Sequence, residues 1–347
     1  MVTKLCTEHR MKRLFNILFA SLLLFQTACQ QVELLVEQEI GQNPSGPEFI
    51  AQVEEFGAGD YAGAQTEEGT QTKTALANGN SVVWSAEDQI AVFQGAAATD
   101  KYQVSDDCVG TTSGTFGIVA KGETAAEEIF NANIAIYPYQ DGLAVTRTSA
   151  TEYQITGVTI PSTQTYAANT FSNGSFLMAA ITDGLTDHTL NFKNLCGALK
   201  LQLKGTAKIK SIELKGNDGE PLSGAASITI YHDSSVPTLE MSRNASASVS
   251  LNWIDGVQLN PDTATPFFIT IPPTSFEKGF TVKIIDIMGA EATVQTKKSN
   301  VVSRSYVHTM PEVTIEPTLP SVNESAMSGL SIACIGNSIT QGVGANG

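Results

Sequence analysis

The chain has 347 residues, of which 42% are apolar, and a formal net charge of −15. This apolar content excludes wholesale disorder, and the length allows two ordinary domains. A surface this acidic repels polyanions, so we expect no nucleic-acid partner.

The amino terminus predicts export and lipid attachment. A basic pair at 12–13, just after the expected start at Met11, precedes a short apolar run, and small residues lead up to Cys29. This order is typical of a secretory signal peptide. The run is shorter than the about 20 residues of a membrane-spanning helix. Residues 25–29 resemble a bacterial lipobox, which implies that residues 1–28 are removed and Cys29 is lipidated. An ordinary secreted protein with an incidental cysteine is the alternative.

A tether is predicted directly after the lipid-attachment site. Residues 30–72 contain no Lys or Arg and are rich in Gln, Glu, Gly and Ala. Such a composition lets an anchored domain stand away from a membrane, and we assign 29–47 to this lipidated tether. The expected location is therefore the cell envelope, as an outer-membrane lipoprotein, with the membrane as a partner through the anchor.

The body of the chain, residues 73–315, consists of short apolar runs separated by turn signals, and no long amphipathic helix pattern is present. Leu199, Leu201 and Leu203 alternate with polar residues, and this period of two predicts a half-buried strand with one wet face. The tripeptide 217–219 (Asn-Asp-Gly) predicts a hairpin turn rather than a calcium loop. The sequence therefore predicts an all-β fold.

A short internal echo suggests that the body contains two similar units. Residues 158–163 (Val-Thr-Ile-Pro-Ser-Thr) are echoed by residues 269–274 (Ile-Thr-Ile-Pro-Pro-Thr), and each segment ends a strand at a proline. We therefore predict an amino-terminal β-sandwich at 48–185 and a carboxyl-terminal one at 186–316. A coincidence of six residues is the alternative.

A family resemblance is carried by five segments of the body, at 73–76, 82–93, 160–166, 190–203 and 268–274. These segments resemble the Bacteroidetes fimbrillin family. The resemblance implies two tandem transthyretin-like β-sandwiches, lipoprotein export, and a role in adhesion, assembly or display with a glycan or protein ligand. Pilus members of that family self-assemble by strand donation after cleavage at an arginine, but no Arg lies between Arg13 and Arg147 here.

Cysteines, histidines and tryptophans give little support to chemistry within the body. Cys108 and Cys196 could form a disulfide, but two separate buried thiols are the favoured interpretation. The four His residues lack metal-ligand spacing, so we expect no metal and no cofactor. Trp84 and Trp253 are predicted as core anchors rather than as sugar-binding platforms.

The last eighteen residues carry a catalytic motif. After a polar linker at 317–329, the apolar run 330–335 predicts a strand, and Gly336-Asn337-Ser338 follows at once. This block resembles the first motif of SGNH (GDSL-type) hydrolases, which implies an α/β domain, a nucleophile at Ser338 and a tight turn at Gly336 beside Asn337.

A serine nucleophile needs a histidine base and an orienting acid. In that family both follow the serine, and neither follows it here, so we expect residues 330–347 to be the start of an incomplete domain without esterase activity. His188, His232 and His308 are not expected to supply the base. The alternatives are a cell-surface carbohydrate or acyl esterase in a longer protein, with the sandwiches as accessory modules, and an accidental Gly-Asn-Ser.

Overall fold

The computed structural model describes residues 46–57, 75–77, 81–96, 99–122, 128–233 and 236–319. The predicted signal peptide and residues 330–347 lie outside this part of the chain, as do most of the tether and of the linker. Between residues 75 and 77 the structure describes the backbone alone.

More than half of the described residues are in strands and none of them is in an α-helix, so the predicted all-β class is confirmed. A single 3₁₀ turn at Asp106–Cys108 interrupts the strands. The strands of the first half of the chain are β1 (Phe49–Val53), β2 (Ala75–Ala77), β3 (Ser81–Val83), β4 (Gln89–Gly95), β5 (Asp100–Val104), β6 (Ser113–Ala120), β7 (Ile129–Tyr137), β8 (Ala144–Arg147), β9 (Glu152–Ile160), β10 (Thr163–Thr165) and β11 (Met178–Ile181). Those of the second half are β12 (Thr189–Asn194), β13 (Gly197–Lys204), β14 (Lys208–Gly216), β15 (Gly224–Tyr231), β16 (Thr238–Met241), β17 (Ser248–Gln258), β18 (Thr265–Ile271), β19 (Thr274–Phe276), β20 (Phe280–Asp286), β21 (Glu291–Gln295), β22 (Asn300–Val302) and β23 (Val307–Thr314).

Seven strands close into a barrel in the order β1-β12-β11-β7-β4-β5-β6. Strand β1 completes the circle, because it pairs parallel with β12 on one side and antiparallel with β6 on the other. Closure leaves no free sheet edge in this part of the molecule.

The remaining long strands form three further sheets. A five-stranded sheet has the order β10-β17-β14-β20-β21, a three-stranded sheet has the order β18-β13-β23, and a four-stranded sheet has the order β16-β15-β9-β8. The predicted boundary at 185/186 falls between β11 and β12, which pair with each other, with Met178 opposite Asn194. Strand β9, which precedes that boundary, pairs with β15, which follows it. The strands therefore do not divide between the sheets at this position.

Two apolar cores lie between these sheets. The first fills the barrel around Trp84, whose ring contacts Phe116 and Tyr137 edge to face at 4.9 and 5.5 Å. Trp84 is fully buried and its Nε1–H donates to the carbonyl of Ala51, as expected of a core anchor. The second core lies between the sheets of β14 and β13 and includes Leu199.

The sequence echo corresponds to a repeated local structure. Ile160 ends β9 and the short strand β10 begins at Thr163; Ile271 ends β18 and the short strand β19 begins at Thr274. In both places a proline after the isoleucine cannot donate a ladder hydrogen bond, so the chain leaves one strand and starts another.

Two local predictions are wrong. The residues beside Leu199 and Leu201 were expected to face water, but Lys200 is only 6% exposed, with its ammonium 5.7 Å from the centre of the Phe268 ring. Burial lowers the pKa of the Lys200 ammonium. The turn at Asn217 is present, yet it is not a hairpin turn, because it joins β14 to β15 in different sheets.

Cys108 and Cys196 are both free thiols, but the favoured interpretation of two buried thiols holds only for Cys196. Cys196 is buried, whereas Cys108 is partly exposed. Trp253 is also only partly buried and stacks on Phe267 with ring centroids 5.4 Å apart.

Among the described residues, we find no helix with the length and apolar character to cross a membrane.

Candidate interaction surfaces

The residues assigned to chemistry by the sequence, Cys29, Gly336, Asn337 and Ser338, lie outside the described residues. Of the upstream histidines, His188 packs against the ring of Phe49, and His308 lies on the edge strand β23. Within the described ranges no three His, Cys, Asp or Glu residues are placed to hold a metal ion. The structural candidates are therefore surfaces rather than catalytic clusters.

A polar clamp joins the end of β1 to the loop before β23. The guanidinium of Arg304 donates to both carboxylate oxygens of Glu54 and also to the carbonyl of Asn194. The Asn194 side chain in turn donates to the Glu54 carbonyl and to Ser305 Oγ. Because all of these partners are at least half buried, the clamp fixes the chain that follows β1 against the second core.

One side of the second core is closed by a side chain. Gln164, on the edge strand β10, is only 1% exposed. Its Nε2 donates to the carbonyl of Thr270 on the edge strand β18, and its Oε1 accepts from the Thr270 N–H. The amide therefore occupies the backbone positions that another strand would otherwise use.

No described strand or side chain closes the opposite side of the second core in this way. There the edge strand β21 of one sheet faces the edge strand β23 of the other across a space that we call the edge cleft. Its apolar part has a volume of about 190 Å³. Leu201, Leu203, Phe280 and Val282 form its floor, and the edge-strand residues Val294, Met310 and Val313 are only partly buried beside it.

The two edges of this cleft differ in their protection. Strand β23 carries Pro311 within a bulge, and Gln202 Nε2 donates to the Met310 carbonyl there. Proline and bulges discourage the pairing of foreign strands. Strand β21 has neither feature. At its first residue, Glu291 exchanges two backbone hydrogen bonds with Thr318.

The alternation of an antiparallel ladder points the backbone groups of Thr293 and Gln295 in the same outward direction as those of Glu291. No strand among the described residues pairs with them there. The edge cleft therefore combines unpaired backbone groups with an apolar floor, the two features that an added strand requires.

A polar pocket of about 190 Å³ lies on the barrel, lined by Asp183, Asp187, Asn191 and Lys193 among others. The Asp187 carboxylate is already used within the protein, because it accepts from the backbone N–H groups of Thr189 and Asp183. Among the described residues no aromatic ring lines the pocket, so they offer no stacking face to a sugar. It is a weaker candidate than the edge cleft.

The fold and these surfaces define an all-β protein whose described part offers strand edges and apolar faces. No protein-family model and no curated protein matches the chain.

Several solved structures are similar to parts of this chain at low sequence identity. A candidate cell adhesion protein from Bacteroides ovatus is 12% identical, with 70% of this chain and 92% of that chain covered and a TM-score of 0.40. A candidate cell adhesion protein from Bacteroides uniformis is 15% identical, with 67% and 88% covered and a TM-score of 0.35. The tip fimbrial protein Mfa3 from Porphyromonas gingivalis, with a carboxyl-terminal truncation, is 10% identical, with 76% and 96% covered and a TM-score of 0.30. At such identities and TM-scores the likeness assigns no activity to this chain.

The sequence signals for the two borders of the edge cleft differ in strength. The run 291–295 is one of the short apolar runs of the body that predict strands, and it forms β21. On the other border only His308 was expected to lie on an edge strand, and it lies on β23. The apolar residues Val307, Met310 and Val313 are the only apolar signal for β23, and their spacing of three breaks the period of two. That spacing is the consequence of the bulge at Pro311.

Proposed function

We propose that this chain is an envelope-anchored module for adhesion, assembly or display, and that the edge cleft binds an extended polypeptide segment. The observation that carries the proposal is the difference between the two sides of the second core: Gln164 closes one, while β21 and β23 leave the other open. The resemblance to fimbrillins seen in the sequence supports the same class of function.

The proposed occupant is a strand of a second copy of the protein, paired along β21. Backbone hydrogen bonds from Thr293 and Gln295 supply affinity, and alternate apolar side chains of the incoming strand cover Val294 and the floor of the cleft. Pro311 directs the pairing to β21 rather than to β23, because a proline cannot donate to a new ladder.

Replacing Thr293 by proline tests this occupant. The Thr293 N–H points away from β20, so Thr293→Pro removes an outward donor without removing a bond of the existing ladder. We expect wild-type protein to self-associate at high concentration in sedimentation velocity, and Thr293→Pro to stay monomeric. Thr206→Pro, in an exposed loop, is the matched control. A wild-type protein that is monomeric at all concentrations, or a Thr293→Pro variant that associates as strongly, would reject the proposal.

The membrane anchor is proposed separately, from the lipobox-like sequence that ends at Cys29. Lipid chains on this cysteine would hold the module in the envelope, since each buried methylene contributes about 0.8 kcal/mol. Metabolic labelling with a radioactive fatty acid should mark the wild-type protein and not Cys29→Ser, which should be released from the membrane fraction. Equal labelling of the two proteins would contradict this assignment.

A second function is proposed for the motif at 336–338 alone. If the chain belongs to a longer protein with the partners of Ser338, we expect ester hydrolysis on acetylated glycans that Ser338→Ala abolishes. Unchanged hydrolysis in that variant would exclude Ser338 as the nucleophile. The edge cleft plays no part in this proposal, so the two are tested independently.

A further inference from the structure

An exposed apolar patch lies at one end of the sheet formed by β17, β14, β20 and β21, and we call it the apolar tip. Ile254 is 95% exposed, Met288 76% and Ile287 48%. Single exposed hydrophobic side chains are common on protein surfaces, but neighbouring ones mark an interaction site.

A wide bulge in β17 turns Ile254 outward. Asn252 pairs with Ser211 and Val257 pairs with Ile209, so the four residues between them stand opposite a single residue of β14. The first of the four, Trp253, packs inward on Phe267. The alternation of a strand then directs Ile254 to the opposite face, into water.

The turn between β20 and β21 places Ile287 and Met288 beside this bulge. A Cβ atom on Gly256 would lie 2.7 Å from Cγ2 of Ile287, so the two segments are in direct contact. The Ile287 N–H also donates to the carbonyl of Lys208, the first residue of β14. The three exposed apolar side chains therefore lie on two adjoining segments at the same end of the sheet.

The chain leaves its described part at the same tip. Ile315 is 4% exposed and its N–H donates to the Lys204 carbonyl, which anchors the end of β23. Three residues later, Thr318 and Glu291 exchange two backbone hydrogen bonds of 2.9 Å. Because this bridge is antiparallel, the step from Thr318 to Leu319 runs towards Ala290, which adjoins the turn that carries Met288.

The segment that follows has the composition of an occupant for this surface. Residues 325–347 contain no charged side chain, in a protein of net charge −15. Within them, 330–335 is an apolar run containing Leu330, Ile332 and Ile335. The eleven residue steps from Leu319 to Leu330 span up to about 36 Å when extended, so the run can reach every part of the tip.

We propose that the apolar tip is the docking surface for residues 330–335 of the same chain. Docking buries Ile254, Ile287 and Met288 against Leu330, Ile332 and Ile335, and apolar burial is the driving force. The contact sets the position of whatever follows residue 335 relative to the second core. It involves neither the edge cleft nor the lipid anchor, so it stands or falls independently of those two proposals. It competes with the hydrolase proposal, in which residues 330–335 would be a strand of that domain's own sheet.

The first test measures the rate at which dilute hydrogen peroxide oxidises Met288 in the full chain. In the wild-type protein we expect at least threefold slower sulfoxide formation at Met288 than in Ile332→Glu, because a buried glutamate would release the segment. Val322→Glu adds the same charge to the linker and should leave the slow rate unchanged. Met288 oxidation at the same rate in all three proteins would overturn the proposal.

The reciprocal test follows hydrogen exchange of the 330–335 amides in the full chain. Protection should be present in the wild-type protein, lost in the double variant Ile254→Glu/Met288→Glu, and retained in Ile129→Glu, which alters a 66% exposed residue of the barrel. Unprotected amides in the wild-type protein would overturn the proposal. So would Met288 protection that rises with protein concentration, because the occupant would then be a second copy.

Discussion

Arg304 binds Glu54 through both of its terminal nitrogens, and this pair connects residues that are 250 positions apart in the sequence. The guanidinium also donates to the Asn194 carbonyl, so it holds β12, the chain after β1 and the loop before β23 at one point. The barrel and the second core are thereby joined next to the strand that closes the barrel.

Replacing Arg304 by leucine should lower the free energy of unfolding by about 2 kcal/mol, because Glu54 and the Asn194 carbonyl lose charge-assisted hydrogen bonds in a partly buried site. Lys193→Leu is the control, since Lys193 lies 4.0 Å from Glu54 and its side chain is 42% exposed. That variant should change the free energy by less than about 0.5 kcal/mol. Urea unfolding measures both, and equal losses would contradict the role given to Arg304.

The closure of β18 by Gln164 predicts a larger effect. Gln164→Ala leaves the buried N–H and carbonyl of Thr270 without their partner, and each such group costs about 1–3 kcal/mol. Gln202→Ala removes a single, part-buried bond to Met310 and should cost about 1 kcal/mol. Thermal unfolding distinguishes the two variants. If Gln164→Ala loses no more stability than Gln202→Ala, the closure of β18 by Gln164 does not contribute to stability.

Stability should fall in alkaline solution because of Cys196. Burial raises the pKa of its thiol to about 12 from an ordinary value of 9.0, although a backbone hydrogen bond involving Leu177 opposes the shift. As the pH rises past 9.0, the unfolded chain loses this proton before the folded one does, so the free energy of unfolding decreases until about pH 12.

Between pH 8 and pH 10 this loss amounts to about 1.4 kcal/mol from Cys196. In Cys196→Ala the fall over that interval should be smaller by this amount, while Cys108→Ala should resemble the wild-type protein. Urea unfolding at the two pH values gives the difference. If Cys196→Ala still shows the full loss of stability in alkaline solution, that loss originates from another group. One such group is Tyr102, because burial and the nearby Asp100 raise its pKa to about 12.

Gly256 should tolerate no side chain. Its φ of +69° disfavours other residues, and a Cβ would stand 2.7 Å from Ile287. Gly256→Ala is expected to lower the free energy of unfolding by about 2 kcal/mol. It should not slow the oxidation of Met288. In Gly142→Ala, where φ is +79° but nothing lies within 4 Å of a Cβ, the cost should be about 1 kcal/mol. Equal costs at the two positions would mean that Ile287 moves aside freely.

Local patterns in the sequence predicted many individual strands but not their partners. The run 198–203 lies within β13, and 291–295 matches β21. The pairing of β1 with β12 joins segments about 140 residues apart, as the bond between Glu54 and Asn194 also does. Such pairing depends on which apolar faces pack together in the folded protein. The period-two pattern of a strand looks the same whichever strand is its partner, so it does not identify that partner.

The sequence by itself determined the all-β class, the proline-terminated repeat at Ile160 and Ile271, and the burial of Trp84, because each depends on local backbone preferences or on side-chain chemistry. Cys29 and Ser338 are assigned by motif alone and stay predictions. Tertiary structure decided that Lys200 is buried, that Gln164 closes one side of the second core, and that β21 leaves the other side open. These outcomes depend on how the sheets pack against one another, and this packing is determined by contacts between residues far apart in the chain.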